Sequence, residues 1–124
     1  MPYADTDFFL ALIKENDWLK SSAKRLLERY QTKLWTSVAT VIELLLLCDE
    51  FALDPERVIS AVVGIAEVRG ISIETAVAAA HYMSTDKLTP LDAMHAAFCG
   101  TDEIISSDHD YDRIGLKRIP LEKH

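Results

Sequence analysis

The feature that most narrows what this chain can fold into is its alternation of short apolar segments with amphipathic helical segments. Met1–Ala4 is a brief apolar strand that ends at Asp5-Thr6-Asp7. Helical stretches are expected over Phe8–Lys14 and from about Asp17 to Tyr30, the second with an apolar stripe of Leu19, Leu26, Leu27 and Tyr30. Leu34-Trp35 reads as a short strand, after which Thr36 or Ser37 caps a helix. Val38, Val41, Ile42, Leu45 and Leu46 recur at the spacing of one helical face, which predicts that this face meets the core. Asp54-Pro55 and Thr89-Pro90 are helix starts, each a capping residue followed by proline. The first of these helices is expected to run to Arg69-Gly70, with Gly70 taking the left-handed stop conformation. Ser72 opens the next, to about Met83, and Leu91–Cys99 forms the last. Glu103–Ser107 and Lys117–Leu121 return to strand character, with a turn at Gly115. Strands alternating with helices imply an α/β fold whose central sheet is small and mainly parallel, about four or five strands with about six or seven helices. The 124 residues suit one domain, residues 1–124, and leave no room for two independent cores.

Composition removes several classes of function. The longest apolar run, Leu44–Cys48, is far short of the roughly 20 residues of a membrane span. The N-terminus carries acids where a secretory signal carries bases, so a cytoplasmic location is expected. Cys48 and Cys99 form no metal-binding pattern and read as buried, reduced thiols. Thirteen Lys and Arg against 20 Asp and Glu give a net charge of −7, which excludes a tight, purely electrostatic nucleic-acid binder.

The acids themselves are placed unevenly. Glu43 is the one charge between Val38 and Leu47, on a helix apolar over most of its circumference. A carboxylate buried there must be paired, protonated or metal-bound, whereas one on a narrow polar strip needs no partner. Asp5 ends the first strand, where it or its neighbours Thr6 and Asp7 would cap the following helix. Asp92 lies in the first turn after Thr89-Pro90, favourable to the helix dipole by less than about 1 kcal/mol. Asp108 and Asp110 follow the strand at Ile104–Ser107, and Asp112 is read as solvated. In parallel sheets sites gather at the carboxyl ends of strands, so four of these acids can converge at one edge. Carboxylates packed together repel unless cations hold them, and oxygen ligands select hard ions such as Mg²⁺ or Mn²⁺.

Four segments in order resemble the motifs of the PIN-domain ribonucleases, specifically the compact VapC-type toxins. They are Ala4–Ile13 (ADTDFFLALI), Thr36-Ser37 with Glu43, Leu91–Ala97 (LDAMHAA), and Ile104–Asp112 (IISSDHDYD). The resemblance covers essentially the whole chain and implies a three-layer PIN-like fold. It further implies that Asp5, Glu43, Asp92 and Asp108 form an acidic, catalytic metal site for Mg²⁺ or Mn²⁺. Asp110 would be an additional or substitute ligand, and Thr6, Ser37 and Ser107 supporting hydroxyls. The implied reaction is hydrolysis of an RNA phosphodiester by metal-activated water. Implied partners are a homodimer mate and a small antitoxin whose tail covers the acids.

Lys20, Lys24, Arg25 and Arg29 offer a basic face for the RNA backbone, or a solvated helix surface. Trp18 and Trp35 are expected in a core or interface rather than stacked on bases; His95, one turn beyond Asp92 on the same face, reads as a packing or surface residue, with support of the metal-binding acids as the alternative. Val58, Val62, Val63 and Ile65 offer either core or interface. Two other functions compete: an inactive PIN-like scaffold that binds a protein, and a haloacid dehalogenase-like phosphatase, whose start Asp5-Thr6-Asp7 mimics. The second lacks its lysine, since none lies between Leu88 and Leu116.

Overall fold

The computed structural model describes residues 1–124. Five strands form the central sheet: β1 (Tyr3–Ala4), β2 (Trp35–Ser37), β3 (Glu67–Arg69), β4 (Ile104–Ser106) and β5 (Arg118–Pro120). Their order across the sheet is β3-β2-β1-β4-β5 and every pairing is parallel. Seven helices flank it: α1 (Thr6–Ile13), α2 (Lys20–Tyr30), α3 (Val38–Leu47), α4 (Pro55–Ile65), α5 (Ile73–Asp86), α6 (Pro90–Cys99) and the single turn α7 (Asp110–Arg113). A 3-10 turn, Leu121–Lys123, closes the chain.

Strand residues point alternately to opposite faces, and this assigns the two cores. Ala4, Leu34 and Ile105 meet α1, α2, α3 and α4 through Phe8, Phe9, Leu26, Leu44, Val58 and Val62. Tyr3, Trp35 and Ile104 point the other way, against Ala79 of α5, Ala93 and Ala96 of α6, and Tyr111. The layers are therefore α1–α4, the sheet, and α5–α7. Asp54 and Ser72 cap α4 and α5 through their side chains, as their positions predict. Each such cap contributes about 1 kcal/mol. Both cysteines are buried and free.

Several expectations need correction. The helix after Asp54 stops at Ile65, and Glu67–Arg69 is an edge strand hydrogen-bonded to β2. Three residues with one partly buried side chain, Val68, carry no alternation to read, and only the neighbouring ladder makes them a strand. Gly70 is not left-handed; Lys87, after α5, is. The acidic stretch after Ser107 forms the helical turn α7.

The face of α3 also differs. Ala39, Thr40, Leu44 and Cys48 are buried, whereas Ile42, Leu45 and Leu46 are exposed. With apolar residues around most of this helix, periodicity selects no face. Small residues do: Ala39 and Thr40 allow close approach, and Thr36 Oγ1 bonds Thr40 Oγ1 at 2.8 Å. On α4, Val58 and Val62 belong to the core and are not interface; Val63 is the exposed one. Trp35 is buried under Arg69, while Trp18 is exposed, outside the core.

A candidate acidic metal centre

The chain lays down β1, β2 and β3 outward in one direction, then returns to place β4 on the other side of β1. This reversal leaves a crevice beyond the carboxyl ends of β1 and β4, the place where open α/β sheets bind ligands. Asp5 follows β1 directly and Asp108 lies two residues after β4. Glu43 enters from α3 and Asp92 from the first turn of α6. Together with Thr6, Asp7, Leu10 and Leu47 they line a pocket of about 190 Å³. A larger groove of about 480 Å³ between α1 and α4, lined by Leu12, Ile13, Leu53, Val58 and Ile65, is mostly apolar and holds no convergent acids.

Each acid is held by specific donors. Asp5 caps α1: Oδ1 accepts from the Thr6 N–H at 2.8 Å and Oδ2 from the Ser106 hydroxyl at 2.7 Å. Its structural role as a cap and its place in the pocket thus coexist. Glu43 Oε1 accepts from the Thr6 hydroxyl and lies 2.9 Å from His95 Nε2. His95 is fully buried; its Nδ1 lies 2.7 Å from Tyr3 Oη, and its Nε2 is 3.4 Å from Asp5 Oδ1. Tyr3 Oη in turn meets Ser37 Oγ at 2.8 Å. His95 is therefore the buried link between two acids, the supporting role rather than the packing or surface one.

The electrostatics reflect crowding. Burial raises the Asp5 pKa, against the opposing pull of His95. Burial also acts to raise Glu43, but hydrogen bonds from His95 and Thr6 outweigh it and hold its pKa below the ordinary value. Burial raises Asp92, and the charges of Asp108, Asp5 and Glu43 push it further, against the Thr89 hydroxyl. For His95, burial favours the neutral ring, yet the charges of Asp5, Glu43 and Asp92 prevail and raise its pKa.

The fourth position divides between two acids of one turn. Asp108 lines the pocket, while Asp110 is exposed at its rim and donates its backbone N–H to Asp108 Oδ1 at 2.9 Å. Ligand atoms of Asp92, Asp108 and Asp110 nevertheless lie within 4.8 Å of one another, as do those of Asp5, Glu43 and His95. Of the expected hydroxyls, Thr6 lines the pocket. Ser37 instead caps α3 and supports Tyr3, and Ser107 bonds Asp7. The basic residues stay outside: Lys24, Arg25 and Arg29 are exposed on α2, and the Lys20 ammonium donates to the Leu12 carbonyl.

Asp7 escapes the sequence reading, which gives it only a capping role, and for His95 the structure takes the alternative of supporting the acids over packing or surface. Their signals were present, Asp7 two residues from Asp5 at a helix start and His95 one turn from Asp92, but neither spacing reveals which neighbour will arrive from another element. A divalent cation suits this donor set. The free ligand atoms are carboxylate oxygens, which favour a hard ion. Both His95 nitrogens already have hydrogen-bond partners, and Asp7 Oδ1 is buried with none.

No curated protein matches the chain significantly in sequence. Among solved structures, it is similar to a toxin–antitoxin complex from Klebsiella pneumoniae, with a TM-score of 0.78, 19% identity and 98% of each chain covered. It is also similar to VapBC2 from Rickettsia felis bound to a DNA fragment from their promoter, with a TM-score of 0.75, 14% identity, and 97% of this chain and 98% of that one covered. At these identities the likeness concerns the fold. A family model, the PIN domain, matches residues 3–117. With that match spanning β1 to β4 and ending just before β5, and the acids of its motifs gathered in one pocket, the chain belongs to the PIN-domain family.

Proposed function

We propose that this protein is a metal-dependent endoribonuclease, the toxin of a toxin–antitoxin pair, with residues 1–124 acting as one PIN domain. The observation that carries this reading is the convergence of Asp5, Glu43, Asp92 and Asp108 in one pocket at the switch point of the sheet. Those four residues would hold Mg²⁺ or Mn²⁺, with Asp110 reaching the same space from the rim. Such a cation, when bound, activates water and offsets the charge that develops on a phosphoryl group.

The protein's own contribution is preorganisation. Thr6 and Ser106 orient Asp5, and Thr6 with His95 orients Glu43, so neither carboxylate must be immobilised when substrate arrives. The pocket lining includes no lysine, which the phosphatase reading needs beside its acids. This supports direct hydrolysis over that reading, in which Asp5 would become phosphorylated.

Lys24, Arg25 and Arg29 are free to meet an RNA backbone beyond the pocket, with Lys20 at the edge of that face. Partnership with a small antitoxin is supported by the two similar structures, both toxin–antitoxin assemblies. A homodimer and a cytoplasmic location belong to the same proposal. No helix is long and apolar enough to cross a membrane.

The test is cleavage of a panel of RNAs by the purified chain with Mn²⁺ or Mg²⁺. Internal cleavage should cease with EDTA and fall at least ~100-fold in Asp92→Asn, since even partners outside the ligand sphere are worth about 10–100-fold. RNAs left intact by wild type and variant alike would favour a non-catalytic scaffold. Phosphate release from small phosphoesters through a phospho-Asp5 would favour the phosphatase.

A further inference from the structure

Asp7 is the acid in the pocket that the four motif acids do not account for. It lines the same space as Asp5, Glu43, Asp92 and Asp108. Its two oxygens have very different surroundings. Oδ2 accepts from both the backbone N–H of Ser107, at 2.8 Å, and the Ser107 hydroxyl. Oδ1 is buried and has no hydrogen-bond partner. The only other buried side-chain polar atom so stranded is Tyr111 Oη, which does not line the pocket.

Anchoring Ser107 does not require an acid. An asparagine in the same rotamer would offer one oxygen to both Ser107 donors and add no charge beside four other carboxylates. The carboxylate adds a second acceptor, enclosed where acceptors already crowd, and a buried acceptor without a donor is costly. That arrangement becomes favourable once a cationic or strongly polarised donor enters the pocket. Small hard cations suit it, because they keep several of their waters when protein carboxylates bind them.

We propose that Asp7 Oδ1 is a further ligand position of this pocket, accepting a hydrogen bond from the hydration shell of a divalent cation held by the neighbouring acids. This inference rests on the metal-dependent reading above. Asp7 is then a positioning residue with two tasks. Through Oδ1 it orients the hydrated ion, and through Oδ2 it ties the Ser107 backbone, hence the start of the loop that carries Asp108, to the first turn of α1.

The experiment is a Mn²⁺ titration of the full chain, with free Mn²⁺ read by electron paramagnetic resonance, on wild type and Asp7→Asn. The asparagine keeps an oxygen for Ser107 and turns an amide N–H₂ toward the cation. Mn²⁺ affinity should fall about 10–100-fold, as for other groups that hold a metal's outer shell. The melting temperature of the variant in EDTA should equal or exceed that of wild type. Equal Mn²⁺ affinities, with wild type binding normally, would overturn the inference and leave the metal site intact. A variant that melts well below wild type in EDTA would overturn it too, by making Asp7 a structural anchor only. Wild type that fails to bind Mn²⁺ would sink the metal-dependent reading itself, and this inference with it.

Discussion

Replacing His95 by phenylalanine tests whether the buried imidazole is the internal counter-charge of the acidic pocket. Phenylalanine is similar in size and shape, so cavity formation is a small term, and the loss is polar. Tyr3 Oη keeps Ser37 as a partner. Glu43 keeps Thr6 but loses the ring nitrogen at 2.9 Å, and Asp5 loses its neighbour at 3.4 Å. Removing one member of a fully buried ion pair costs about 3–5 kcal/mol. The Glu43 side chain is 26% exposed, so water recovers part of this and the low end applies, about 3 kcal/mol. For a chain of this size that corresponds to a fall of roughly 12 °C in melting temperature.

The assay is thermal unfolding in EDTA across pH. Because the pKa of His95 is raised in the folded state, its contribution is fully present below the ordinary histidine value. It is lost as pH climbs through the raised value, so the gap between wild type and variant should narrow there. Mn²⁺ should narrow the gap as well, by supplying positive charge to the same carboxylates. A variant that melts within about 2 °C of wild type in EDTA at pH 6 would refute the reasoning, since a counter-charge worth so little would make the imidazole a neutral packing group.

The Asp7 pKa is raised from its ordinary 3.8 to about 7, by burial first and then by the charge of Asp5. The folded protein therefore holds this proton after the unfolded chain has lost it, and metal-free stability should decline as pH rises between those values, on the order of 2–4 kcal/mol. Urea midpoints in EDTA at pH 5 and pH 8 measure this decline, and Asp7→Asn should flatten it. On α3, Leu44→Ala should cost about 2–5 kcal/mol and Leu46→Ala under about 0.5, opposite to the ranking periodicity implies, as paired denaturation curves would show. Arg118 spans Asp112, Glu122 and the Ser106 carbonyl through five hydrogen bonds. Arg118→Ala should therefore destabilise by about 1–3 kcal/mol and speed amide exchange over Ser107–Asp112, which hydrogen exchange would detect.

Legibility followed the range of the interaction that decides each feature. The caps at Asp54 and Ser72, the strands bearing Tyr3, Trp35 and Ile104, and the parallel α/β layering rest on local preferences and side-chain period, which neighbouring residues report. The motif order likewise made Asp5, Glu43, Asp92 and Asp108 recognisable before any contact was known. The edge strand β3 was hidden because its hydrogen bonds come from β2, more than 30 residues earlier. The inward face of α3 was hidden because an almost wholly apolar helix carries no preferred side until small residues meet the sheet. Asp7 was legible as a cap but not as part of the site, and His95 only as one of several alternatives. Their partners, Ser107 for one and Glu43 and Tyr3 for the other, reach them through the reversal of strand order at β1. Sequence alone thus carried the family and the layering, and singled out four motif acids as candidates. Tertiary structure decided which acids share a pocket, which of Asp108 and Asp110 lines it, and which oxygen is left without a donor, because each depends on distances between elements that no local pattern encodes.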